Sequence, residues 1–225
     1  AEFERGSFEA MLTNLAEGPY YAVKISPGIH HCMGGVKINT NAEVIDKEGN
    51  VRKPVVYLAD FEMFLPSCPQ TVEYWKKTCD KYGLIGLFPG DGDPVEPGED
   101  LWKRIFEHDV SYMRKSDMCI AQLDDWRGHE ADSGTAFELG YFVAKGMPAY
   151  GFYTGKSPLK DRDIEKDEND SDYDKDGFMI EDKGFAFENM FTLVKIGKDF
   201  EEACRMARAD FDAQLIANGY EAYKV

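Results

Sequence analysis

From residue 54 onward, short apolar runs alternate with longer amphipathic stretches, and that alternation leaves few folds open. Val55-Val56-Tyr57-Leu58-Ala59 carries no charge, as a strand buried on both faces requires. A charge-decorated helical stretch over 71–82 closes on Gly83. A second strand over 84–88 ends in Pro89-Gly90-Asp91-Gly92, a strong loop signal. The pattern continues with a helix over 101–115, a strand over 118–123 and a helix over 133–145 stopped by Gly146 and Pro148. Strands over 149–153 and 190–196 and an amphipathic helix over 200–217 complete it. Strands separated by helices predict an α/β fold: a parallel five-stranded sheet with helices on both faces. Ligands in such sheets bind outside the carboxyl ends of the strands.

Two segments depart from the alternation. Residues 1–53 contain two alternating runs, 20–25 and 36–44, joined through Ser26-Pro27-Gly28, and read as a small β-rich appendage. The division expected is therefore 1–53 and 54–225. Residues 156–183 are acidic and Gly-punctuated and read as a long surface loop. Hydrophobic residues at 43% supply a real core. A net charge of −16 argues against a nucleic-acid polymer or an anionic membrane as partner. No apolar run approaches the roughly 20 residues of a membrane span, and the first ten residues lack the charged and apolar regions of a signal peptide. The five cysteines are odd in number, scattered and without a CxxC pair, which fits a reducing cytoplasm without zinc or a disulfide framework.

Four residues stand out chemically. Glu138 is the only charge among the twelve residues 133–144. It is either a solvated turn of an amphipathic helix or a carboxylate kept for chemistry. Asp109 falls in line with Leu101, Ile105 and Tyr112 at helical spacing, either at a wet edge or buried with a raised pKa. Asp132 precedes a helix and suits a plain N-cap, or a ligand for a substrate hydroxyl at the mouth of the sheet. Tyr57 is either a core tyrosine or a phenol aimed at a carboxylate. Acids and a tyrosine on a parallel sheet suit glycosyl transfer, where one carboxylate attacks and another acid protonates the leaving group.

Several longer stretches carry a resemblance. They are Tyr57-Leu58-Ala59 with Phe64, the segment 109–117, the block from Arg127 through Asp132, Gly134 and Glu138 to Gly140, and Asn189-Met190. Residues 55–215 resemble the nucleoside 2-deoxyribosyltransferase family. The resemblance implies a flavodoxin- or Rossmann-like sheet and a glycosyltransferase. In it Glu138 attacks the anomeric carbon, Tyr57 positions Glu138, and Asp109 donates a proton to the base. Asp132, Phe64 and Gly134 would meet the substrate, and Asn189 would complete the site of a neighbouring subunit in a dimer-based homo-oligomer. The implied partners are 2′-deoxynucleosides and free purine or pyrimidine bases, with no metal or organic cofactor. Asp60-Phe61 stands where the family has Gly-Pro, and Lys224-Val225 follow Tyr223 where many members end in the tyrosine.

The alternatives within the fold are hydrolysis of deoxynucleosides or of their 5′-monophosphates. A carboxylate at Asp132 disfavours the monophosphates by repulsion. A non-catalytic nucleotide-binding module is the alternative of another class. In the acidic loop, Asp172-Tyr173-Asp174-Lys175-Asp176-Gly177 matches half of a calcium loop, but Lys183 stands where the bidentate glutamate belongs. Residues 2–53, with His30-His31-Cys32-Met33-Gly34-Gly35, resemble a fragment of the flavoprotein fumarate reductase family. The chain lacks a GxGxxG fingerprint, so this stretch is expected to be without redox activity, and His30 and His31 to be structural.

Overall fold

A computed structural model describes residues 53–155, 164–180 and 194–217. The chain separates into two units, Ala1–Val36 and Lys37–Val225, and every described residue lies in the second. Residues 1–52 of the expected appendage, Asn189 and Lys183 lie outside the described residues.

Five strands, β1 (Val55–Ala59), β2 (Ile85–Leu87), β3 (Met118–Gln122), β4 (Ala149–Phe152) and β5 (Lys195–Gly197), form one sheet in the order β2-β1-β3-β4-β5. All four pairings are parallel. The winding reverses between β1 and β3, so a crevice opens at their carboxyl ends. The helices are α1 (Cys68–Lys81), α2 (Leu101–Lys115), α3 (Ser133–Ala144) and α4 (Phe200–Ala217). None is long and apolar enough to cross a membrane among the described residues.

The period of two along each strand sorts the core into two layers. Val56, Leu58, Met118, Ile120, Tyr150 and Phe152 pack against Val72, Trp75 and Cys79 of α1 and Phe200, Ala203, Cys204 and Ala207 of α4. Tyr57, Ala59, Cys119, Ala121 and Leu123 pack against Met113 of α2 and Leu139 and Phe142 of α3. Buried Arg208 of α4 pairs with Asp212 and donates to the Gly83 carbonyl, tying α4 to the end of α1.

Four details differ from the sequence reading. Helix α1 starts at Cys68, earlier than residue 71, because Pro69 sits in the first turn, where its missing N–H costs nothing. The last strand covers Lys195–Gly197, later than 190–196, and residues 190–193 are outside the described set. The apolar residues of α2 do not form a buried stripe: Trp102, Ile105 and Phe106 are exposed, and within the helix Met113 alone is buried. Residues 164–180 are folded back on themselves, with antiparallel bridges Lys166–Asp174 and Tyr173–Met179.

Candidate active site

The sheet brings Tyr57 and Glu138 together. Tyr57 is fully buried on β1, its ring 5.9 Å from that of Phe142, and its hydroxyl donates to Glu138 Oε1 at 2.5 Å. Both sequence readings of Tyr57 hold at once: the ring is core and the phenol addresses a carboxylate. Burial pushes the Glu138 carboxyl up to about 8. The Tyr57 hydrogen bond opposes that rise, and the charges of Asp109, Asp60 and Asp132 add to it. Three acids thus act on Glu138 near the ends of β1 and α3, and Glu138 is no solvated turn.

Asp109, on α2, has its side chain 26% exposed, and its pKa is raised by burial. His108 lies beside it, Nδ1 3.6 Å from Oδ1, and partly offsets the rise. The location is intermediate between the wet edge and the buried stripe considered from sequence.

Asp132 is the N-cap of α3: its Oδ2 accepts from Thr135 N at 2.9 Å and from the Thr135 hydroxyl at 3.2 Å. A Cβ at Gly134 would stand 3.0 Å from that Oδ2, so glycine there makes room for the cap. The loop leading to Asp132 is pinned to the two residues after β4, with Asp124 accepting from Thr154 N and Oγ1, and Asp125 from the Tyr153 hydroxyl. Within it Arg127 takes a φ of 48° and lies over the Trp126 ring, 4.7 Å from its centroid.

Phe64 belongs to a single 3₁₀ turn, Glu62–Phe64, that follows β1. It is 61% exposed and stands 5.5 Å from Trp126, which also meets Phe61 at 4.9 Å. Three rings thus gather beside the sheet's carboxyl end, where a planar ligand could stack.

Sequence reasoning missed Asp60, Glu62 and Gln122 as site residues. Asp60 follows β1 and Gln122 ends β3, and the register pairs their predecessors, Ala59 with Ala121. Asp60 Oδ1 accepts from Glu62 N at 2.7 Å. Gln122 Nε2 donates to Glu62 Oε1 at 3.1 Å, and the Ser67 hydroxyl reaches Glu62 Oε2 at 3.4 Å. Burial holds the Asp60 carboxyl up at about 7, against the pull of the Glu62 and Met63 N–H groups. Asp60 Oδ2 and Gln122 Oε1 are two of three buried side-chain polar atoms without a hydrogen-bond partner among the described residues. Each such orphan costs about 1–3 kcal/mol. The only advance signal was the Asp60-Phe61 departure; the pairing with Gln122 needs the strand register. Among the described residues no three His, Cys, Asp or Glu side chains gather as a metal site would require.

Comparison with known proteins places this geometry in context. The profile described as nucleoside 2-deoxyribosyltransferase matches residues 56–190, more than half of the chain. An uncharacterized protein of Schizosaccharomyces pombe is 31% identical over 191 residues, covering 72% of this chain and 90% of its own. The structure of a 2-desoxiribosyltransferase from Leishmania mexicana superposes with a TM-score of 0.56 at 26% identity, covering 68% of this chain and 95% of that one. Residues 2–53 match a profile described as FAD binding domain. There a fumarate reductase (cytochrome) of Shewanella frigidimarina is 46% identical over 55 residues, 24% of this chain but 8% of that enzyme.

Proposed function

The chain belongs to the nucleoside 2-deoxyribosyltransferase family, and from that premise we propose that it exchanges the base of 2′-deoxynucleosides through an ester on Glu138. The observation that carries the proposal is the buried Tyr57–Glu138 hydrogen bond, set among acids at the topological switch point. Tyr57 occupies Oε1, which leaves Oε2 for attack on the anomeric carbon. The glycosidic C–N bond breaks with its electron pair going to the base, and Asp109, whose raised pKa favours the acid form, gives that base its proton. A second base then attacks the anomeric carbon from the face the first one left, passing its N–H proton to the Asp109 carboxylate and so restoring the acid. The ester C–O bond breaks, Glu138 returns as carboxylate, and configuration is retained.

In the same reading Asp132 accepts from a sugar hydroxyl while its other duty caps α3, and the Phe64 ring covers the substrate. Gly134 keeps the approach to Asp132 open. The protein acts as a homo-oligomer in which Asn189 reaches a neighbour's site. Exposed Trp102, Phe106 and Phe137 on α2 and α3 suit burial against another subunit.

Chromatography of deoxycytidine incubated with and without free adenine tests the proposal. A deoxyadenosine peak that requires adenine is the expected result. Cytosine release that ignores adenine would make the protein a hydrolase.

A further inference from the structure

We propose that Asp60 and Gln122 read the nucleobase, favouring one that carries an amino group beside an unprotonated ring nitrogen. This rests on the function proposed above.

The two side chains are 8% and 6% exposed, at adjacent ends of β1 and β3. Each keeps one oxygen without a partner among the described residues. Buried polar atoms are nearly always paired, so two neighbouring orphans at a strand-end crevice point to groups brought by a ligand. Glu138 feels the charge of Asp60, and both feel that of Asp132, so Asp60 borders the reacting centre, with Gln122 beside it on the next strand. A base departing from the carbon that Glu138 attacks lies within one ring's width of that centre. A sugar hydroxyl brings a single donor, whereas two adjacent oxygens suit one flat, rigid edge. The Phe61, Trp126 and Phe64 rings supply faces for such a plane to stack on.

Polarity follows from the partners already engaged. The amide of Gln122 cannot turn over, because Nε2 is held by Glu62 Oε1, and Glu62 is held in turn by Ser67. Gln122 therefore offers only Oε1, an acceptor. Asp60, with its carboxyl held up at about 7, carries a proton through mildly acidic conditions and donates from Oδ2, since Oδ1 is taken by the Glu62 N–H. An acceptor beside a donor matches adenine or cytosine, whose amino group adjoins a bare ring nitrogen. Hypoxanthine and uracil present the reverse: a carbonyl would face Gln122 Oε1 and a ring N–H would face the acid proton. A site built this way rejects the mismatched edge strongly, because its own buried groups then stay unpaired.

The test is calorimetric binding of free adenine against hypoxanthine, and cytosine against uracil, to the full chain at about pH 6.5, below the Asp60 midpoint. Adenine and cytosine should each bind at least about tenfold tighter than their oxo counterparts. Gln122→Met, which removes the acceptor and keeps the length, should bring both ratios within about threefold. Asp60→Asn retains a donor toward the ligand and should keep the preference. Equal binding of amino and oxo bases by the parent, a reversed preference, or no binding of any base overturns the proposal, whether or not the variants fold. A ratio unchanged in folded Gln122→Met also overturns it. A clear base preference with no turnover of any deoxynucleoside leaves the base reading standing and overturns the transferase reading.

Discussion

Glu138 is held between opposing influences. Burial and three neighbouring acids favour its neutral form, and the Tyr57 hydroxyl favours the carboxylate needed for attack. With its carboxyl at about 8, kcat/KM should climb as pH rises from about 6 toward 8. Tyr57→Phe deletes the hydrogen bond that holds the pKa down and leaves the ring packing in place. It should move the rising limb to higher pH and lower kcat/KM about 10- to 100-fold. A pH–rate profile for Tyr57→Phe that overlays the parent would remove Tyr57 from its role. Asp60 titrates in the same direction with a consequence for stability. Its folded value of about 7 lies above its ordinary 3.8, so the folded chain holds a proton that the unfolded chain has released. Stability from this group is complete below about pH 4 and is lost as pH rises through about 7. Asp60→Asn does not titrate, so its stability relative to the parent should improve between about pH 4 and 8 by a few kcal/mol. Urea unfolding at both ends of that range measures it, and a gap independent of pH would count against the buried acid.

Element by element, helix α3 does two jobs with one residue. Asp132 caps it and, in the proposed mechanism, meets a sugar hydroxyl. Asp132→Ala should cost about 1 kcal/mol of stability, while Asp132→Ser retains a capping oxygen and should cost less. Both should weaken use of deoxynucleosides, and thermal unfolding beside kinetics separates the two roles. If serine restores activity as well as stability, Asp132 is a cap and nothing more. The strands and helices were legible because uncharged runs and glycine stops carry their own physics, and Gly83 and Gly146 end α1 and α3 with left-handed φ values of 65° and 66°. Less was legible on α2, where helical spacing is identical whether an apolar stripe faces the core or, as with Trp102 and Phe106, faces outward. Glu138 and Tyr57 could each be singled out alone, but their meeting depends on the packing of α3 onto β1. Asp60 and Gln122 were invisible as a pair because strand register is a property of the sheet, not of either segment.

For the whole molecule, every described residue with a role in the proposed chemistry lies between Tyr57 and Glu138, within the stretch matched to the transferase family. The fumarate-reductase-like stretch covers residues 2–53 and matches only a small part of the reductases it resembles. Deleting residues 1–53 should therefore leave turnover per folded site within about one order of magnitude. Loss of all turnover in a folded truncation would show that this stretch takes part.

The covalent ester on Glu138 is the central claim, and trapping it tests that claim most directly. A 2′-fluoro-2′-deoxynucleoside slows breakdown of the ester by destabilising positive charge at the anomeric carbon. Mass spectrometry of the parent treated with it should find a fluorodeoxyribosyl adduct on the peptide holding Glu138, and none on Glu138→Ala. An adduct on another residue, or near-parent turnover in Glu138→Ala, would contradict the account.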